Sequence, residues 1–404
     1  MNGIRLFFKS AKGSVFSSLT LFVVLGAVLL TLNYTLSQYL YIRRAGEMFE
    51  NAGLSGGLHF VNTTPYDAEG QEALDARIES LRESGEMEKL ITRRSAGVTI
   101  GGTEYQLVLY DVDVYPAMYG APHKGSWPEG GEPLGGVVAG VNPSSVPVGE
   151  TVMVRSSIPG NDASLEVQIT GTLAYPPMTF QTGYYISNIS MMTADNFFGE
   201  ERLLYVPYSE ALAATVTASF NLGSAQPVSS GILLFSEDTS AERREEIRKE
   251  LSVYAQVTPV DTILQSTRAH VSESMRRLLP APLFLLAVTS LAYISVAMLG
   301  IYRRRADFTI YAMEGCTKRR MLLLAAAQSA LPLLFTDALV AAALLTLKRW
   351  SESGKFALPG VLFGWQNFAL TAAASVLLLT VVIGIAAFTT GRLSPAEELR
   401  QAKE

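Results

Sequence analysis

Four runs of about 20 or more apolar residues govern what this chain can fold into, because each is long enough to cross a bilayer core as a helix. The runs cover residues 15–36, 281–302, 321–347 and 368–390, and the third is interrupted only by Pro332 and Asp337. The first lies inside an uncharged stretch from Gly13 to Ile42. A secretory leader would be shorter and would end in a small-residue cleavage pattern. Here the run continues through Asn33-Tyr34-Thr35-Leu36, so it reads as a retained helix. The expected fold class is membrane α-helical, with four transmembrane helices in a 1+3 arrangement and a large α+β domain between the first two.

Charge orients these spans. Arg5, Lys9 and Lys12 precede the first span, residues 303–320 between the second and third hold Arg303, Arg304, Arg305, Lys318, Arg319 and Arg320, and Arg392, Arg400 and Lys403 follow the fourth. Basic residues beside spans stay on the cytoplasmic side. Residues 1–14, 303–320 and 391–404 are therefore expected in the cytoplasm, which puts both termini there. Residues 37–280 and the loop 348–367 are expected outside. The outer loop carries a smaller excess of Lys348, Arg349 and Lys355. Between Ala45 and Pro280 there are 30 acidic against 15 basic residues, a net of −15; the rest of the chain is +10, which recovers the overall −5. An acidic exported segment held by basic, apolar ones excludes a nucleic-acid binder, which needs clustered positive charge. The expected location is the cell membrane, with lipid as the surroundings of the spans.

Within 37–280 the pattern is mixed. Gln38 to Asn51 extends the first helix, and Ala68 to Leu90 reads as an exposed amphipathic helix. Val98–Ile100, Tyr105–Tyr110, Gly136–Ala139, Thr151–Arg155, Leu165–Leu173 and Gly231–Phe235 read as strands separated by Gly, Pro, Asn and Asp. Helices are expected over Thr239–Leu251 and Thr262–Arg277, the last running into the second span. Both ends of the domain are thus tied to membrane helices.

Chemistry-bearing patterns are few. The only cysteine, Cys316, cannot make an intrachain disulfide, and His59, His123 and His270 are too widely separated to suggest a metal site. No segment matches the phosphate-cradling G-x-x-x-x-G-K-[ST] loop. Leu54-Ser55-Gly56-Gly57 spells the start of an ATPase signature, but without a phosphate loop it reads as coincidence. Asp337 is the single charge inside a span, roughly 24 Å along its helix and so toward the outer leaflet. Its readings are structural or interfacial on one side, coupling or substrate contact on the other. In the loop 303–320, Asp307 can begin a short helix, with Phe308, Ile310, Tyr311 and Met313 following and Gly315 ending it.

That loop carries a family resemblance. Asp307-Phe308-Thr309-Ile310-Tyr311-Ala312-Met313-Glu314-Gly315-Cys316-Thr317 resembles the R-R-x-E-I-A-I-L-R-A-L-G-A-T stretch of MacB/FtsX-like permeases, the type VII ABC transporters. Leu393-Ser394-Pro395-Ala396-Glu397-Glu398-Leu399-Arg400 is similar to that family's closing S-P-A-E-A-L-R. Gly136-Val137-Val138-Ala139-Gly140, Val148–Val152 and Val167–Leu173 resemble its MacB-type periplasmic core. Asp307 stands where Glu is usual, Glu314 and Cys316 replace apolar or small residues, and Gln328 stands where Glu is expected.

The resemblance implies a permease subunit that relays the motion of a separate cytoplasmic ABC-type ATPase to its outer domain. The output would be export or extraction of a hydrophobic peptide, lipoprotein or antibiotic-like substrate. It implies no catalysis and no cofactor in this chain, with ATP and Mg on the partner ATPase, and a second permease copy or a paralogue alongside. ATPase docking would fall on Arg304, Arg305, Asp307, Phe308, Tyr311, Glu314 and Gly315, and Asp337 and Gln328 would be the intramembrane polar residues. The alternative is an FtsX-like signalling module that senses an external ligand or works through an extracytoplasmic adaptor or cell-wall hydrolase. An apolar outer groove favours transport; an exposed protein-docking patch favours signalling.

Overall fold

The computed structural model describes residues 15–63, 68–128, 131, 133–140, 146–173, 178–220, 229–303, 310–311, 313–352, 358 and 360–391. It divides into two units. One is drawn from Met1–Gln38, Ser274–Arg349 and Leu362–Glu404, the other from Tyr39–Glu273 and Trp350–Val361. Among the described residues, four helices are long and apolar enough to cross a membrane.

In the helical unit, α1 (Val15–Asn51) starts in the first apolar run and continues past it, so the predicted extension to Asn51 is present. No proline interrupts it, and Gly53, at φ +67°, follows its end. The segment predicted as Thr262–Arg277 is α6 (Val260–Leu278), followed at once by α7 (Pro280–Arg303). Only Leu279 separates them, and its N–H still reaches the Met275 carbonyl at 3.0 Å. Helix α8 (Lys318–Glu352) passes without a break through Pro332. Neighbouring helices tolerate such a proline, and one turn on the Thr336 hydroxyl bonds back to the Pro332 carbonyl at 3.0 Å. Helix α9 (Trp365–Gly391) completes the set. Leu25 and Leu29 of α1, Tyr293 of α7, Leu333 and Val340 of α8, and Leu378 and Val382 of α9 form their common core.

The α/β unit contains two folded parts. Strands β1 (Leu58–Val61), β2 (Met87–Ile91), β12 (Ser230–Phe235) and β13 (Gln256–Pro259) form an antiparallel sheet in the order β13-β1-β12-β2. With α2 (Ala68–Glu83) after β1 and α5 (Ala241–Leu251) after β12, this is the β-α-β-β-α-β ferredoxin-like arrangement. Leu74, Ile78 and Leu81 of α2 and Ile247 and Leu251 of α5 bury against Leu58, Phe60 and Leu233 of the sheet. The helix predicted over Ala68–Leu90 stops at Glu83, Gly85 turns with φ +73°, and Met87–Ile91 forms strand β2. Helix α5 begins at Ala241, where the Ser240 hydroxyl accepts from the Arg243 N–H at 3.2 Å.

The second part is inserted between β2 and β12. Strands β3 (Arg94–Ile100), β4 (Thr103–Tyr110), β6 (Gly135–Ala139), β7 (Thr151–Ser156), β8 (Ser164–Thr172) and β11 (Leu203–Pro207) run β8-β6-β11-β4-β3-β7, and β7 pairs back onto β8. That pairing closes a six-stranded barrel and leaves the ring without a free edge. The two-residue β5 (Lys124–Gly125) adds to β8. Alternate residues such as Tyr105, Leu107 and Leu109, or Leu204 and Val206, point into the barrel core, where Val216 and Phe220 of α4 (Glu210–Phe220) join them. A short helix, α3 (Val114–Tyr119), and a two-stranded pair, β9 (Thr179–Phe180) with β10 (Phe198–Gly199), complete the unit.

Candidate functional site

Within the α/β unit, the far end of α1 lies at the junction of sheet and barrel. Its last turns bury Tyr41, Ala45, Met48 and Phe49. Phe49 is fully buried and meets Phe180, Phe197 and Phe198 edge-on, with ring centroids 5.8, 5.3 and 6.0 Å away. From Phe180 the aromatic contacts continue to Tyr115 (6.1 Å) and on to Tyr205 of the barrel wall (5.4 Å). From Phe197 they continue to His59 of β1 (4.7 Å). One side chain of α1 therefore touches the contact chains of both folded parts. Edge-to-face aromatic pairs contribute about 0.5–1.5 kcal/mol each beyond their area burial, which makes this junction stiff.

Helix α6 joins the same unit beside α1. Thr267 accepts the Ala194 N–H at 2.8 Å through its hydroxyl and donates to the Ile263 carbonyl at 2.7 Å. A Cβ built on Gly46 of α1 would lie 3.7 Å from the Thr267 methyl, so the two helices run close, and Arg268 pairs with Glu50 at 2.6 Å. The segment Trp350–Val361, which begins in the last turn of α8, belongs to this unit too, where the Gly360 N–H bonds the Glu200 carboxylate. Burial raises the pKa of that carboxylate, and the Gly360 contact opposes the rise.

The electrostatics of the junction are those of buried neutral groups. His59 Nε2 lies 2.8 Å from the Thr182 carbonyl and must donate to it, which leaves Nδ1 bare and without a partner among the described residues. Burial lowers the His59 pKa to about 4, the carbonyl contact notwithstanding. Burial likewise pushes Tyr115, Tyr119 and Tyr205 above the ordinary phenol range. Tyr119 donates to the Met178 carbonyl at 3.0 Å and accepts from the Phe180 N–H at 2.8 Å. Met178 carries φ +41°, a left-handed backbone that a side chain rarely adopts.

Of the predicted docking residues, Arg304, Arg305, Asp307 and Phe308 lie outside the described residues. Tyr311 is helical and half-buried, and Glu314 and Gly315 form the turn that follows. Gly315, at φ +86°, closes that turn, with the Cys316 N–H reaching the Tyr311 carbonyl at 2.9 Å in a Schellman-type cap. Ile310 and Met313 beside it are exposed apolar side chains.

In the helical unit Gln328 lies within α8, away from Asp337, whose Oδ1 accepts from Ser375 Oγ of α9 at 2.7 Å. The sequence reading did not find the larger polar group beside this pair. Asn367 of α9 donates through Nδ2 to the Asn33 carbonyl (3.0 Å) and to Ser37 Oγ (2.8 Å), both on α1. Asn33 donates through its own Nδ2 to Thr371 Oγ1 at 2.9 Å. Asn33, Ser37 and Asn367 are completely buried. The signal was available as Asn367, Thr371 and Ser375 at i, i+4 and i+8, a polar line along one face of α9.

An open cleft of about 640 Å³ lies where the β3–β4 turn meets β7, and its lining of Ile100, Gly102, Pro147, Glu150, Met153 and Arg155 is mixed rather than apolar.

No family model and no curated protein matches the chain. Among solved structures, the extracellular domain of the noncanonic ABC-type transporter YknZ from Gram-positive bacteria is similar at 12% identity. That similarity covers 50% of this chain and 98% of that domain, with a TM-score of 0.28. At that score the likeness carries no weight for activity or partners.

Proposed function

We propose that this chain is the permease subunit of an ABC transporter, a multi-pass protein of the cell membrane with both termini in the cytoplasm and the α/β unit outside. A separate cytoplasmic ATPase binds and hydrolyses ATP with Mg; this chain performs no catalysis and holds no cofactor. A second permease copy or a paralogue completes the assembly. The loop 303–320 receives the ATPase, with Arg304, Arg305, Asp307, Phe308, Tyr311, Glu314 and Gly315 in the contact. The exposed apolar Ile310 and Met313 beside the Gly315 turn suit such a docking face.

The observation that carries the relay is Phe49. It belongs to the same helix as the first apolar span, yet its ring is buried among Phe180, Phe197 and Phe198 of the α/β unit. A shift or rotation of α1 cannot leave those rings in place, because close-packed interiors transmit displacement instead of absorbing it. The outer unit acts on a hydrophobic peptide, lipoprotein or antibiotic-like substrate by this mechanical route.

The test is co-purification of the full chain with the ABC-type ATPase from its own genome, with and without Arg304→Glu and Arg305→Glu. Recovery of the ATPase, a changed hydrolysis rate in the complex, and loss of the complex on charge reversal are the expected results. If no nucleotide condition recruits an ATPase, the relay reading fails.

A further inference from the structure

We propose that Asp337 and the polar line of α9 form a site, open toward the bilayer, for the ammonium head of a cationic amphiphile. The inference rests on the membrane placement and transporter reading above and names a substrate class for it.

Asp337 lacks a compensating charge among the described residues. It is the single charged residue in the apolar runs, and a carboxylate at bilayer depth is unfavourable unless it meets a cation or a proton. Its hydrogen-bond partner among the described residues is Ser375, a neutral hydroxyl that satisfies one carboxylate oxygen and leaves the charge uncompensated. The side chain is only partly buried, so it is not sealed inside the helix core. No Lys, Arg or His occurs in 15–36, 281–302, 321–336, 338–347 or 368–390. Neither this chain nor a second copy of it therefore has a cation to offer at that depth. Lys348 begins the basic end of the helix 11 residues further on, about 16 Å along the axis, beyond the reach of its side chain.

A second, independent observation lies on α1, at the side chain that bonds to α9 one turn from Ser375. Asn33 is completely buried, its Nδ2 is used on Leu29 and Thr371, and its Oδ1 has no donor among the described residues. Thr371, its partner, precedes Ser375 by four residues, about 6 Å along the axis. The Thr336 methyl and Val340, which flank Asp337 on α8, lie against Gly26 of α1. The seam between α1, α8 and α9 thus has a surplus of acceptors, and what it lacks is a positively charged group with several N–H donors. A primary ammonium has three donors and no acceptor. A chain carrying that group would enter sideways from the outer leaflet, its tail against the exposed Leu334, Leu339, Val376 and Leu377.

The experiment uses the full-length protein in lipid nanodiscs and two probes of equal chain length, a diazirine-bearing dodecylamine and the matching neutral alcohol. Photolabelling followed by mapping of the modified peptides is expected to place the amine on α8 and α9 around Asp337. The alcohol should label weakly and without preference. Asp337→Asn keeps the shape and the Ser375 contact, so it tests charge without disturbing packing, and it should lower amine labelling about tenfold, the scale of one lost charged hydrogen bond. Ser375→Ala, which leaves the charge in place, should weaken labelling by a smaller factor. Both variants are checked for unchanged elution and thermal unfolding before labelling. A hydrophobic carbodiimide should modify Asp337, and the amine should suppress that modification.

Equal labelling by amine and alcohol, or full labelling of Asp337→Asn, would overturn the proposal. Carbodiimide modification that the amine fails to suppress would make Asp337 a proton site and overturn it too. Because labelling is read without ATP or a partner, its failure leaves the ATPase co-purification result standing, and the two readings fail separately.

Discussion

The ring of Phe49 lies edge-on to that of Phe197, with centroids 5.3 Å apart and planes inclined at 67°. Phe49 stands near the end of α1, and Phe197 lies directly before β10 and touches His59 of the central strand β1. Phe49→Ala removes a completely buried ring and should destabilise the α/β unit by about 3–5 kcal/mol, with Phe49→Leu losing less. Thermal unfolding of the detergent-solubilised full chain measures this. A double-mutant cycle with Phe197→Leu should return a coupling of about 1 kcal/mol.

Asn367 ties α9 to α1 through Ser37 and the Asn33 carbonyl, and its Oδ1 also accepts the Gly364 N–H at 3.0 Å. Asn367→Leu should lower the unfolding temperature of the full chain, the loss amounting to about 1 kcal/mol per interhelical hydrogen bond. Combined with Ser37→Ala the losses should be less than additive, since the second change removes a bond already gone.

His59 gives a pH dependence with a definite sign. Its folded pKa of about 4 lies below the ordinary value of 6.5, so between these two the unfolded chain binds more protons than the folded one. The contribution of the neutral ring is fully present above pH 6.5, is lost progressively as pH falls toward 4, and changes no further below that. The full span corresponds to about 3 kcal/mol. His59→Gln keeps a donor for the Thr182 carbonyl, and unfolding measured between pH 7 and 4 should lose that part of the slope.

Gly136 marks a close approach in the barrel wall. A Cβ built there would lie 2.8 Å from Val167 Cγ1 and 2.9 Å from Leu204 Cδ1. Gly136→Ala should therefore destabilise by about 1–3 kcal/mol through overpacking, read by the same unfolding assay. Gly149→Ala has open space, and its cost should come from its φ of +96° alone.

Much of this architecture is written locally. The apolar runs gave the long helices, and Ser240 with the charged run after it marks α5. What failed were elements without periodicity. Leu58–Val61 and Leu203–Pro207 are buried on both faces, so they show no alternation to read. Met87-Glu88-Lys89-Leu90 is made of good helix formers, and strand β2 forms there because β12 offers a partner. Sheet order and barrel assembly depend on pairings far apart in sequence, such as Leu107 with Leu204 and Leu58 with Leu233, which no local pattern encodes. The polar group on α1 and α9 was missed because uncharged Asn, Ser and Thr barely lower the hydropathy of an apolar run. Asp337 was found because it is charged.

The relay through α1 is tested most directly by interrupting it. A flexible Gly-Ser insertion between Gln38 and Tyr39 separates the apolar span from the turns that carry Phe49. With spin labels at Glu237→Cys in a Cys316→Ser background, inter-copy distances are measured in the complex with the partner ATPase, with and without ATP. The account predicts an ATP-dependent distance change in the intact chain that the insertion abolishes while ATP hydrolysis persists. An undiminished change in the inserted chain, or no change in the intact one, would contradict it.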